Sequence, residues 1–278
     1  MSGRVEAQNP GREVSREEYA HICHRYAVAG RLVAGRLTGE LACGAGLAVG
    51  YLSGLAARYV GADLAWEHIV LARRNSRAAA FMRLDCEHLP FRGRSFQTLL
   101  ALEVAQYLNI PRFLEELRAV LADDGVALIT LPNCRRRAFQ PSARSREYLD
   151  SDGWRAACAP AGLHAVVLGA FREASVASRA RRGFGLSLVH AGSHALNAID
   201  PQRRLGWIRA GLRRAIGYKP LRLPERLPTE DIVEAGQRSL TRLVASVDAA
   251  PYAFLYILVG PNPATVDDWV SRVVGAAG

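Results

Sequence analysis

The chain has 278 residues, half of them hydrophobic, which is enough to bury a sizeable core; one elaborated domain is the simplest organisation. No apolar run reaches the roughly 18 residues of a membrane span, and the first 20 residues are polar (Arg4, Glu6, Arg12, Glu13, Arg16) without the apolar stretch of a signal peptide. Five scattered cysteines (Cys23, Cys43, Cys86, Cys134, Cys158) lack CxxC spacing, which argues against a disulfide framework and a zinc site and favours a reducing, cytoplasmic setting. The net charge of +10 invites a nucleic-acid reading, but all 36 basic residues except Lys219 are arginine in a chain rich in Ala, Gly and Val. That pattern reads as compositional bias, so nucleic acid is disfavoured as a partner.

Residues 1 to 15 show no periodicity and are expected to be disordered. Glu17 to Ala34 reads as a helix with Tyr19, Ile22, Tyr26 and Leu32 as apolar positions. A short strand over 37–43 carries Glu40 and leads into Cys43-Gly44-Ala45-Gly46. Glycines there let the backbone turn tightly and pass close under a ligand. Leu47 to Arg58 is small and apolar, as suits a helix on a sheet. Tyr59 to Ala62 is the next strand and ends at Asp63. An acid about 20 residues after a glycine loop is where a βαβ unit presents a carboxylate to a ribose diol. The dinucleotide pattern GxGxxG is incomplete, because Val49 stands where its third glycine belongs.

Trp66 to Asn75 follows as a helix, and Ala80 to Leu84 as a third strand running into Asp85-Cys86. The fourth strand, Gln97 to Leu102, ends at Glu103, with Tyr107 just beyond. A helix and strand occupy Phe113 to Asn133, with the strand at Val126 to Leu131. Arg146 to Ala159 is expected to be helical, Leu163 to Leu168 to be strand six, and Tyr252 to Val259 the last strand.

This series resembles the class I S-adenosylmethionine-dependent methyltransferases, in particular the group with a D-x-E-x-L-P-F segment after the third strand. Asp85, Glu87, Leu89, Pro90 and Phe91 carry that segment here. Glu103-Val104, Leu121, Asp124-Gly125 and Leu131-Pro132-Asn133 match as well. The resemblance spans roughly residues 36 to 170 and implies a Rossmann-like α/β sheet of seven strands with the last antiparallel. It implies S-adenosylmethionine as cofactor. It places Glu40 near the methionine amino group and Gly44 and Gly46 beneath the methionine moiety. Asp63 falls on the ribose hydroxyls, Asp85 on the adenine amino group, the Cys86 amide on a ring nitrogen and Leu64 on the adenine face. Glu103 joins the cofactor set, and Arg25 would reach over the cofactor carboxylate. Thr38 and Gly39 depart from the bulky apolar residues usual in the first strand, and Tyr107 stands where a His is often found.

The expected division is an N-terminal arm and helix (1–35), a cofactor-binding core (36–170), a helical insertion or lid (171–251), and a last strand and tail (252–278) completing the core. Strands six and seven are normally joined by a hairpin. The insertion leaves from the carboxyl end of strand six, the side where ligands bind. Within it, Asp200-Pro201 starts a helix with Leu205, Ile208, Leu212 and Ile216 on one face and arginines elsewhere. Packing on the domain is favoured over contact with anionic lipid. A second helix is expected from Thr229 to about Val247. Catalytic residues are not legible, because the cofactor's sulfonium brings its own leaving group; Tyr107, His190 and His194 are weak candidates. The expected activity is methyl transfer to oxygen or nitrogen of a small molecule or sugar. The alternatives are an NAD(P)-dependent oxidoreductase and a non-catalytic methyltransferase-fold binding protein. The sequence sets no oligomeric state.

Overall fold

The structure, a computed structural model, describes residues 9–137, 139–172, 220–244 and 249–275. Its centre is an eight-stranded sheet. In chain order the strands among the described residues are β1 (Glu13–Val14), β2 (Leu37–Leu41), β3 (Arg58–Asp63), β4 (Ala80–Arg83), β5 (Phe96–Leu102), β6 (Leu121–Pro132), β7 (His164–Arg172), β8 (Leu221–Arg222), β9 (Thr241–Leu243) and β10 (Tyr252–Gly260). The main sheet runs β4-β3-β2-β5-β6-β10-β7-β9. The five strands β4, β3, β2, β5 and β6 are parallel, each to its neighbour in that order. β10 slots between β6 and β7, antiparallel to both.

Period-two alternation decides what each face of the sheet covers. Leu100, Leu102, Val126 and Leu128 pack with α1 (Arg16–Val33), α2 (Val49–Leu55), α6 (Thr229–Ala235) and α7 (Pro263–Gly275). Their neighbours Leu99, Ala101, Ala127 and Ile129 pack with α4 (Ile110–Val120) and α5 (Ser151–Cys158). Strands covered on both faces lack polar alternation. Helix α4 shows why its residues choose that conformation: Asn109 caps it by accepting the Arg112 amide, Pro111 opens it, and Ile110, Phe113, Leu114 and Leu117 form one buried stripe. Helix α3 (Trp66–Asn75) lies where the sequence places it, with Ile69 and Ala72 buried.

Several expectations change. Residues 9–15 are ordered: Glu13 and Val14 pair antiparallel with Arg222 and Leu221, and Ser15 caps α1 by accepting the Glu18 amide. The helix expected from Arg146 begins at Ser151, because the Asp150 carboxylate caps it at the Gly153 amide, while the Arg146 amide is engaged by the Gln106 carbonyl. The helix after Gly46 is shorter than expected, since Ala56 bridges to Ala34 as the chain turns into β3. The helix expected from Thr229 to about Val247 stops at Ala235. The chain then gives the edge strand β9, whose Leu243 pairs with Val167. That strand makes the sheet eight-stranded where seven were expected. Burying Leu243 against the free edge of β7 outweighs local helical periodicity. His190, His194 and the helix expected over 201–216 lie outside the described residues. Among the described residues, no helix is long and apolar enough to cross a membrane.

Candidate active site

Strand order reverses between β2 and β5, and the cleft outside the carboxyl ends of such strands is where open α/β sheets bind ligands. Each strand is followed directly by a left-handed residue that is not glycine: Ala42 at φ 58° and Glu103 at φ 60°. Such conformations cost an L-residue energy and collect at functional sites. Gly44 and Gly46 follow at φ 57° and 73°. A Cβ on Gly46 would lie 2.9 Å from Ala72, whereas one on Gly44 would meet nothing within 4 Å. Gly46 is therefore glycine because α3 packs against it. Gly44 opens onto free space.

Asp63 at the end of β3 suspends this loop. Its Oδ2 accepts the Gly44 amide at 2.9 Å, and its Oδ1 accepts the Ala65 amide at 2.9 Å and lies 3.1 Å from Nδ1 of His68. The hydrogen bond to Asp63 raises the His68 pKa. A carboxylate has about four acceptor positions, so Asp63 keeps capacity for a further donor. Leu64 beside it is 59% exposed, a large apolar side chain left uncovered at the mouth of the loop. The buried Cys86 thiol neighbours the Ala42 backbone, and burial pushes it up to about 12. Asp85 is half exposed and caps its own turn through the Glu87 amide at 2.9 Å.

Glu40 is buried, accepts the Tyr59 hydroxyl, and is pushed up to about 7 by burial. Arg25 comes from α1 as a buried guanidinium whose Nη1 lies 3.5 Å from Oε1 of Glu103. The Glu103 amide is held by the Thr130 carbonyl at 2.9 Å, and burial raises its carboxyl pKa. Tyr107 sits half-buried in a short 3-10 turn after β5. Thus Glu40 and the Gly44–Gly46 loop of β2, Asp63 of β3 and Cys86 after β4 come from three neighbouring strands, and Arg25 joins Glu103. Sequence reasoning missed Tyr59, His68 and Asn75. Asn75 ties the Ala45 and Gly46 carbonyls to the returning chain at Glu225. Its single local signal is a polar residue on the buried side of α3.

These residues fit a nucleoside cofactor. The open space at Gly44, the acceptor capacity of Asp63 and the uncovered Leu64 would receive a backbone-hugging chain, a ribose and a flat apolar base in turn.

Residues 39–129 match the family described as methyltransferase domain. A phthiotriol/phenolphthiotriol dimycocerosates methyltransferase of Mycobacterium ulcerans is 36% identical over 126 residues, covering 42% of this chain and 46% of that protein. Its counterpart from Mycobacterium leprae is 33% identical over 112 residues, covering 38% and 41%. The chain thus spans less than half the length of these curated relatives. A solved Thermotoga maritima structure, described as an S-adenosylmethionine-dependent methyltransferase and possible histamine N-methyltransferase, superposes with a TM-score of 0.52. That match has 11% identity and covers 88% of this chain and 94% of that one. The fold is the Rossmann-like sheet of the class I methyltransferases. Residues 39–129, where the methyltransferase-domain family matches, contain the glycine loop, Asp63, Asp85 and Glu103.

Proposed function

We propose that the chain catalyses S-adenosylmethionine-dependent methyl transfer to a small-molecule acceptor. The observation that carries this reading is the glycine loop hung from Asp63 by the Gly44 amide, inside the segment that matches the methyltransferase family. Glu40 and Arg25 would hold the charged methionine end, Asp63 the ribose, and Asp85, Cys86 and Leu64 the base. Glu103, joined to Arg25, closes the methionine side. When bound, the cofactor supplies an electrophilic methyl group. The protein's part is to bind, align and exclude water. The mycobacterial relatives are named for phthiotriol-type lipids, which favours a small, lipid-like acceptor over nucleic acid. Phe171 and Arg172, which begin the expected insertion, leave β7 at its carboxyl end, and we assign this start of the insertion to the acceptor side.

Calorimetry tests the reading directly. S-adenosylhomocysteine should bind with micromolar affinity and NADH or NADPH should not. Dinucleotide binding without a response to S-adenosylhomocysteine would sink it.

A further inference from the structure

A second set of groups lies beside the cofactor residues and has no part in the roles above. Helix α1 carries His21 to the carboxyl ends of the central strands. The imidazole meets Phe171 edge-on with centroids 4.0 Å apart, and Phe254 with centroids 4.8 Å apart. Phe171 is the penultimate residue of β7, and Phe254 pairs with Pro132 at the end of β6. Phe171 itself has φ 57°, a real outlier for a bulky residue. Nε2 of His21 is buried and has no hydrogen-bond partner. Leaving such an atom unpaired is costly, and each case in a folded protein calls for an explanation.

One turn later on the same helix, Arg25 reaches Glu103, so α1 joins this cluster to the cofactor residues. The charges around His21 are strongly one-sided. Arg25, Arg136 and Arg238 all act on it, together with the neutral ring of His24. Arg238 lies over the Phe171 ring, 5.3 Å from its centroid. Nε of Arg136 is buried without a partner. Arg136 acts on the Glu103 carboxylate, but among the described residues neither Arg136 nor Arg238 forms an ion pair within hydrogen-bonding reach of a carboxylate. Glu103 is the one carboxylate ion-paired to this group, and burial weakens its acidity. Desolvation, then these arginines, push the His21 imidazole down to about 3, so it is neutral at physiological pH.

We propose, resting on the methyltransferase reading, that His21, Arg136 and the Phe171–Phe254 pair form the acceptor subsite, and that this subsite takes a neutral or anionic hydroxyl compound and rejects a cationic amine. An uncharged imidazole offers the Nε2 lone pair to a hydroxyl proton. The guanidiniums lower the cost of negative charge on that oxygen. The two phenyl rings supply an apolar bed for the acceptor's body. An alkylamine is protonated at neutral pH, has no lone pair to present, and meets three positive groups against one carboxylate. Oxygen is therefore the methylated atom: the acceptor's O–CH3 bond would form as the cofactor's S–CH3 bond breaks, and S-adenosylhomocysteine would leave. The hydroxyl proton would pass to water, because so weakly basic an imidazole accepts a hydrogen bond without keeping the proton.

The test uses full-length protein loaded with S-adenosylhomocysteine and labelled at histidine with 13C and 15N. The probes are 4-hydroxybenzoate and benzylamine. 4-Hydroxybenzoate should shift the His21 ring resonances, and benzylamine should not. His21→Phe, which keeps a ring but removes the nitrogen, and Arg136→Gln should each weaken 4-hydroxybenzoate at least tenfold while leaving S-adenosylhomocysteine affinity unchanged. His21→Gln, which keeps a hydrogen-bonding group, should retain part of that affinity, and it replaces the Phe variant if that one fails to fold. Equal binding of the two probes, silent His21 resonances, or undiminished probe binding in the variants would overturn the subsite. If S-adenosylhomocysteine itself does not bind the wild type, the methyltransferase reading falls. If it binds and His21 stays silent, only the subsite falls.

Discussion

The side-chain amide of Asn75 donates to the carbonyl of Glu225 at 2.9 Å, 150 residues further along the chain. The same nitrogen lies 3.1 and 3.2 Å from the carbonyls of Ala45 and Gly46, and Arg226 returns a bond to the Asn75 oxygen at 3.1 Å. The Leu227 amide adds a bond to the Leu47 carbonyl at 2.8 Å. Residues 225–227, within the expected insertion, are thereby fastened to the glycine loop. Asn75→Ala should cost about 1–3 kcal/mol by leaving buried carbonyls unmet, and should weaken S-adenosylhomocysteine several-fold. Urea unfolding paired with calorimetry checks both. A stability loss with untouched affinity would show that the strap does not govern the loop.

The two loop glycines should separate packing from binding. Gly46→Ala forces a Cβ to 2.9 Å from the Ala72 backbone and should destabilise the fold and abolish cofactor binding together. Gly44→Ala meets no protein atom. It should fold with a loss of about 1–2 kcal/mol from its left-handed backbone, yet lose most of its affinity. Equal stability losses in the two variants would contradict this division.

Ala42 offers a gain in stability. It holds φ 58°, and glycine adopts that region without steric cost. After allowing for glycine's larger entropy loss, Ala42→Gly should stabilise the protein by up to about 1 kcal/mol. A melting temperature that falls would show that the methyl group packs more usefully than its backbone strain costs.

Glu40 gives the site a pH dependence. Burial lifts it from 4.5 to about 7 in the folded protein, so the folded state holds a proton that the unfolded state releases. The associated stability is complete below pH 4.5 and is lost as pH rises through about 7. The change is on the order of 3 kcal/mol. His24, lowered to about 4 by burial, works the other way, weakening the fold as pH falls from 6.5 towards 4. Comparing Glu40→Gln with wild type isolates the carboxyl, since His24 is common to both. The difference in unfolding free energy between the two proteins should change steadily from pH 4.5 to 7. A constant difference would place Glu40's ionisation elsewhere. A cofactor ammonium beside Glu40 would also favour its charged form, so binding near pH 7 should release protons, read as a buffer-dependent calorimetric enthalpy.

The sequence by itself determined the alternation of strands and helices from Leu37 to Leu131, since the strands are short apolar runs, three of them leading into Asp63, Asp85 and Glu103, and each helix shows its own period. It also located the glycine loop, because glycine and acid at that spacing have a local backbone reason to be there. Tertiary structure decided the rest. β9 is a strand because the edge of β7 was free to pair with it, which no local pattern in Thr241 to Leu243 could announce. Glu13 and Val14 are ordered because Leu221 and Arg222, more than 200 residues later, lie beside them. Arg25 was legible only through a family likeness; its bond to Glu103 depends on α1 crossing the strand ends. His21 carried no signal at all, for an imidazole in an amphipathic helix looks alike whether it faces water or two phenylalanines. Its neutrality and its unpaired nitrogen arise from burial beside three arginines that only the folded chain brings together.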